Sequence, residues 1–133
     1  MPKTFDLTLL PLYRVRGNEM PSPPGLLALT PPRRKARSRA QDLLIIHLAL
    51  SGNADFSTAN YHQMTSAAAA EFYQTSGSVT SALRAAATTL NGDLLERNMA
   101  SSGQGRYSLA SLILCVVRNE QLYILESGPG HVY

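Results

Sequence analysis

The sequence predicts an α+β domain: a β-sheet with two antiparallel helices layered on it. Three observations carry this. The last stretch, Ser108 to Tyr133, holds two apolar runs, Leu109 to Val117 and Leu122 to Leu125, split by Arg118, Asn119, Glu120 and Gln121. That pattern reads as a β-hairpin buried on at least one face. Asp42 to Leu50 is another strand, whose unbroken apolar run suggests burial on both faces. Between the two lie segments with apolar residues three and four apart, the spacing of amphipathic helices. Consecutive helices between buried strands fit a layered sheet-and-helix domain.

Phe5, Leu7 and Leu9 alternate with polar residues and suggest a first strand. Leu12 to Val15 extends it past Pro11 as an edge, since proline cannot donate to a sheet ladder. Gly17 to Gly25, with Pro21, Pro23 and Pro24, reads as a loop or linker, so residues 1–25 form an N-terminal segment apart from the main domain. Leu26 to Leu29 is a short strand. Ser51 to Ser57 is a turn from which Asp55, Ser57 or Thr58 can cap a helix. Tyr61, Met64, Ala68 and Phe72 are its core stripe, and Gly77 ends it. Ser78 caps a second helix with the stripe Leu83, Ala87, Leu90 and Leu94, at a cost of about 1 kcal/mol for Gly92. Met99 to Gly105 is a flexible return, and Ser127 to Gly130 closes the hairpin before His131, Val132 and Tyr133 start another strand.

A chain of 133 residues with 44% apolar side chains is long and apolar enough for one ordinary core. It has no stretch suited to a membrane span and no signal region, because Asp6 and Pro11 interrupt the only candidate. A single cysteine, Cys115, excludes an intrachain disulfide and points to the cytoplasm. The net charge of +3 is local: Arg33, Arg34, Lys35, Arg37 and Arg39 supply it, and the rest of the chain is slightly acidic. That run reads as a solvated loop or as an anion or nucleic-acid contact. It lacks interleaved aromatic residues for stacking bases, so nucleic acid is the less favoured partner. His47, inside its strand, reads as a packed residue, and neither His62 nor His131 has a partner at zinc-ligand spacing. Cys115, in mid-strand, reads as an inert core thiol.

The hairpin with its Gly128-Pro129-Gly130-His131-Val132-Tyr133 turn resembles the metal-dependent protein phosphatases (the PPM, or type 2C, family), where the second strand enters a Gly-Asp-Ser-Arg-Ala-Tyr-like turn. Leu43 to His47, with the Leu48-Ala49-Leu50-Ser51-Gly52 that follows, is similar to the family's apolar strand ending in Asp-Gly-x-Gly-Gly. Arg37 to Asp42 stands where the family has Arg-x-x-x-Glu-Asp. The resemblance covers 26–133, about the first half of a phosphatase domain. It implies a partial layered sandwich in which Arg37 falls on a phosphate-binding arginine.

The family reaction hydrolyses a phosphoester with water held between two Mg²⁺ or Mn²⁺ ions, which need clustered carboxylates. The two central ligand positions here carry Leu48 and Pro129, which offer no side-chain oxygen. The resemblance therefore implies a pseudophosphatase with no catalytic residues, no metal ligands and no cofactor, serving binding, regulation or scaffolding. Half a sandwich exposes strand edges and an apolar face, so self-association or a protein partner is expected. A degenerate phosphatase using Asp42 and Asp55 with Mg²⁺ or Mn²⁺, and a basic nucleic-acid-binding module built on Arg33 to Arg39, are the alternatives.

Overall fold

The computed structural model describes residues 8–130 and Val132. Phe5 and Leu7 of the first expected strand lie outside the described residues, and Leu9 is in exposed irregular chain. The molecule is an α+β layered structure. Strands β3 (Leu26–Leu29), β4 (Leu43–Gly52), β5 (Ser108–Arg118) and β6 (Gln121–Ser127) form one antiparallel sheet in the order β3-β4-β5-β6. Helices α1 (Thr58–Gln74) and α2 (Val79–Ser101) intervene between β4 and β5 and pack on one face of that sheet.

The N-terminal segment contains a hairpin that the sequence does not announce. Strands β1 (Tyr13–Val15) and β2 (Asn18–Met20) pair only with each other, where a loop is expected from Gly17 onward. The turn explains it. Arg16 (φ 50°) and Gly17 (φ 83°) both take positive φ, the twist a two-residue hairpin loop needs. Arg-Gly is not among the pairs that usually signal such a loop, so the turn is hard to read in advance.

The helices begin where side-chain oxygens are available for their first orphan N–H groups. Ser57 Oγ accepts from Asn60 N–H at 3.2 Å, and Ser78 Oγ accepts from Ser81 N–H at 3.1 Å. On α1 the buried residues are Met64, Thr65, Ala68, Ala69, Phe72 and Tyr73, while Tyr61 is half-buried. On α2 they are Val79, Ala82, Leu83, Ala86 and Leu90, while Ala87 and Leu94 are half-buried. Alanines at the contact positions let the two helices approach each other and the sheet closely. Helix α2 runs through Gly92 to Ser101, beyond the flexible return expected from Met99. A 3₁₀ turn at Ser102–Gln104 and the left-handed Gly105 (φ 68°) then stop it.

Strand β4 corrects the expectation of burial on both faces. Leu44, Ile46 and Leu48 are buried, while Leu43, Ile45 and His47 between them are only half-buried. The helices cover one side and, among the described residues, no helix or strand covers the other, so burial alternates with the pleat. The inward residues meet Leu112, Leu114 and Val116 of β5 and the stripes of α1 and α2 in one core. Each fully buried aliphatic side chain there contributes about 1.5–3 kcal/mol. The β5–β6 hairpin has the expected place, with Arg118 opposite Gln121 and only Asn119 (φ 53°) and Glu120 in the turn. The further strand expected from His131 to Tyr133 lies outside the described residues except for Val132, which is in no strand.

Two glycines set where the sheet stops. Gly52 ends β4 at φ +109°, and a Cβ there would stand 2.5 Å from Tyr107 O. Gly128 follows β6 at φ +84°, and its Cβ would stand 2.5 Å from Ala110 O. No side chain fits either place without moving the neighbouring backbone.

Candidate functional site

Antiparallel register sorts the sheet residues into two faces. Opposite the helices, three rows run across the strands: Leu43–Val117–Leu122, then Ala28–Ile45–Cys115–Ile124, then Leu26–His47–Ile113–Glu126. The first two rows are entirely apolar apart from the thiol. Leu122 is 59% and Ile124 43% exposed, far from what a finished core shows. At strand spacings of about 4.8 Å and residue rises of about 3.4 Å, the two apolar rows cover roughly 230 Å² and all three rows roughly 350 Å². Patches of that size are among the largest that a typical monomer exposes and are often functional.

The far end of the same face is polar. Ala49 pairs with Ser111, Ser51 pairs with Leu109, and Glu126 lies beside them. The chain after β6 bends onto this end. A Cβ on Gly130 would stand 2.9 Å from Ser111 Oγ and 3.1 Å from Ile113 Cδ1, and Val132 N–H donates to Glu126 Oε1 at 3.1 Å. Cys115 sits on this open face, half-buried, and not in the core. Burial pushes its thiol up, with the Glu126 charge adding to the effect, so it stays protonated at neutral pH. His47 is likewise half-buried on the open face.

On the helix face the core is closed at one end by charge. Asp42 is fully buried and receives Arg118 as a fork: Nε donates to Oδ1 at 2.5 Å and Nη2 to Oδ2 at 2.9 Å. Arg39, also fully buried, brings Nη1 to 3.1 Å from Asp42 Oδ2, out of line for a hydrogen bond, so that contact is Coulombic. Its Nη2 donates to Gly77 O, and its guanidinium carbon stands 5.3 Å from the centre of the Phe72 ring. Burial pulls the Arg39 pKa down against the attraction of Asp42, whereas hydrogen bonding to Asp42 pushes that of Arg118 up. Tyr73 Oη lies 2.7 Å from Asp42 O and 3.2 Å from Leu29 O, and burial holds its phenol well above the usual range. The cluster ties the basic loop, β3, the start of β4, the end of β5, α1 and the connection between the helices together.

This arrangement divides the basic run. Arg33, Arg34 and Arg37 are exposed and enter no ion pair among the described residues, whereas Arg39 is a core residue. Antiparallel pairing of β4 with β5 makes Asp42, just before one apolar run, a neighbour of Arg118, just after another. That flanking pattern is the sequence signal by which the cluster can be found.

The residues singled out from the sequence are not brought together. Arg37 lies in a 3₁₀ turn before β4, at the Leu43 end of the sheet. Pro129 is exposed in the turn after β6, beyond Ser127, which pairs with Leu112 near the opposite end. The length of β4, about 30 Å at 3.3 Å per residue, separates the two ends. Leu48 is 1% exposed, faces the helices, and precedes four more strand residues, so it does not stand at the strand-end turn its assigned register supposes. The residue on the open face at that end is Ser51, followed by Gly52. Asp42 is enclosed by two arginines, while the Asp55 carboxylate is 98% exposed and 4.0 Å from Arg106 Nη1. Those two carboxylates also lie at opposite ends of β4.

Comparison with protein-family models, with curated proteins and with solved structures finds no match. Among the described residues, no helix is long and apolar enough to cross a membrane. The class these observations define is an α+β layered domain with one helix-covered and one open sheet face.

Proposed function

We propose that this chain is a PPM-type, phosphatase-like domain that works by binding and not by phosphoester hydrolysis. The observation that carries the reading is the open apolar face, which has the composition of the inner side of a two-sheet sandwich. The strand ends nearest the polar end of that face offer Ser51 and Pro129, neither of which supplies a carboxylate oxygen to Mg²⁺ or Mn²⁺. Asp42 is fully buried and already faces two arginines, whose positive charge opposes a metal cation beside it.

The occupant proposed for the face is a second copy of this chain. Two sheets pack face to face about 10 Å apart with their inner side chains interleaved. His47 and Glu126 flank Ile113 in a single row. A two-fold axis along β5 therefore sets His47 of each copy against Glu126 of the other and lays the Ile45–Cys115–Ile124 rows together. Such a self-complementary contact is what a symmetric dimer requires. The proposed setting is the cytoplasm, where the lone thiol stays reduced.

Sedimentation of the full chain at micromolar concentration tests this. A particle of twice the chain mass is expected, returning to one chain mass in the Ile45→Lys, Ile124→Lys double variant with its circular dichroism unchanged. A parallel assay with Mn²⁺ and an aryl phosphate is expected to show no turnover. A wild-type monomer would end the dimer reading. Manganese-dependent turnover abolished by Asp42→Ala, in a variant shown to be folded, would end the non-catalytic one.

A further inference from the structure

A second surface lies at the other side of the sheet, independent of the open face. Strand β3 is an edge, and α1 overhangs it. The overhang leaves a groove of about 350 Å³ with Leu27, Leu29, Ala69 and Tyr73 as its floor and Arg34 and His62 at its rim. That volume is at the lower end of the range for binding clefts, about 300–1,000 Å³. Among the described residues, the outer backbone edge beside it is unpaired. Gly25 O accepts from Leu48 N–H at 2.9 Å, so alternation turns the backbone groups of Leu27 and Leu29 toward β4. The N–H and C=O of Ala28 then point outward, with the C=O of Leu26.

The charge beside this edge has one sign. Arg33, Arg34 and Arg37 are exposed in the loop that leaves β3 and enter no ion pair among the described residues. Lys35 reaches back to donate to Pro32 O at 3.0 Å. Two copies meeting edge to edge here would bring like charges together, so the edge disfavours its own kind.

We infer that the β3 edge binds an extended acidic peptide as a fifth strand. The added strand exchanges main-chain hydrogen bonds with Ala28 and drops alternate aliphatic side chains into the groove over Leu27 and Leu29. Acidic residues just beyond the end of the added strand face Arg33, Arg34 and Arg37 in the loop that leaves β3. The apolar floor distinguishes this partner from nucleic acid, which has no alternating side chains to fill a groove, and Tyr73, at 2% exposure, offers no ring face for stacking bases.

Fluorescence anisotropy with a labelled strand-length peptide of alternating valine and threonine flanked by aspartates tests the inference on the full chain. Saturable binding is expected, weakening as salt rises. The Arg33→Ala, Arg34→Ala, Arg37→Ala variant alters exposed side chains only and is expected to bind about tenfold more weakly, from three surface ion pairs of modest strength. Ala28→Pro removes an outward N–H without touching the β4 ladder, and a loss of about tenfold is expected for it too. Equal binding of the same peptide flanked by lysines would overturn the proposal. So would equal binding of the aspartate-flanked peptide interrupted by proline, full competition by single-stranded DNA at equal phosphate, or unchanged affinity in the triple-arginine variant.

Discussion

The two faces of the four-stranded sheet are made from the same strands, yet they end in different states. Neighbours in sequence make the point: Leu114 is fully buried, while Cys115 beside it is half-exposed. Toward the helices, Leu44, Ile46, Leu114 and Val116 have no exposure at all. On the other side, Leu122 and Ile124 remain open. Both faces are apolar enough to be cores. Apolar composition in a strand therefore shows that a face is suited to burial, and a packed layer decides whether burial happens. The helix face is fixed by α1, α2 and the charges that close its end. The open face has no such layer among the described residues.

The largest effect should come from the closed end of the covered face. Asp42→Ala leaves Arg39 buried without its counter-charge and is expected to lower stability by about 3–5 kcal/mol in urea unfolding. Arg118→Met should cost less, because that side chain is 27% exposed and water takes up part of the loss. Next comes the direct contrast of neighbours. Leu114→Ala should cost about 2–5 kcal/mol, as cavities in packed cores do, and Cys115→Ala less than about 1 kcal/mol.

Tyr73 gives the covered face a dependence on alkaline pH. Its pKa is raised in the folded protein, so above the ordinary phenol value near 10 the unfolded chain releases a proton that the folded chain keeps. Stability should be unaffected by this group below pH 10 and fall as pH rises beyond it. Tyr73→Phe should lose that fall while costing about 1 kcal/mol at neutral pH from its lost hydrogen bond. Any decline that begins lower, near the thiol range of about 8.5, belongs to Cys115, whose pKa is also raised. The smallest change in chain stability is expected for Ile45→Lys on the open face, less than about 1 kcal/mol, with the loss appearing instead in self-association.

Much of the covered face was legible from residue order. Ser57 and Ser78 as caps, the Met64–Ala68–Phe72 and Leu83–Leu90 stripes, and the hairpin after Ser108 follow from local rules that the structure satisfies. What was not legible depends on partners distant in sequence. Arg39 reads as one more member of a solvated basic run until Asp42 and Phe72 surround it. The strand from Leu43 reads as buried on both sides because its run of aliphatic residues is the same whether one layer or two cover it. The β1–β2 hairpin turns on Arg16 accepting positive φ, a conformation that carries little compositional trace. Of the candidate site residues, Arg37 and Pro129 were named by the family resemblance alone, and their separation required the register of β4 against β5 and β6.

The position of the lone thiol has a practical consequence. Cys115 is the only cysteine in the chain and stands in the middle of the open face, between Ile45 and Ile124. A maleimide dye added to the unmodified protein would react at that one point, and its rate would slow whenever something lies over the sheet. The molecule thus carries its own occupancy gauge.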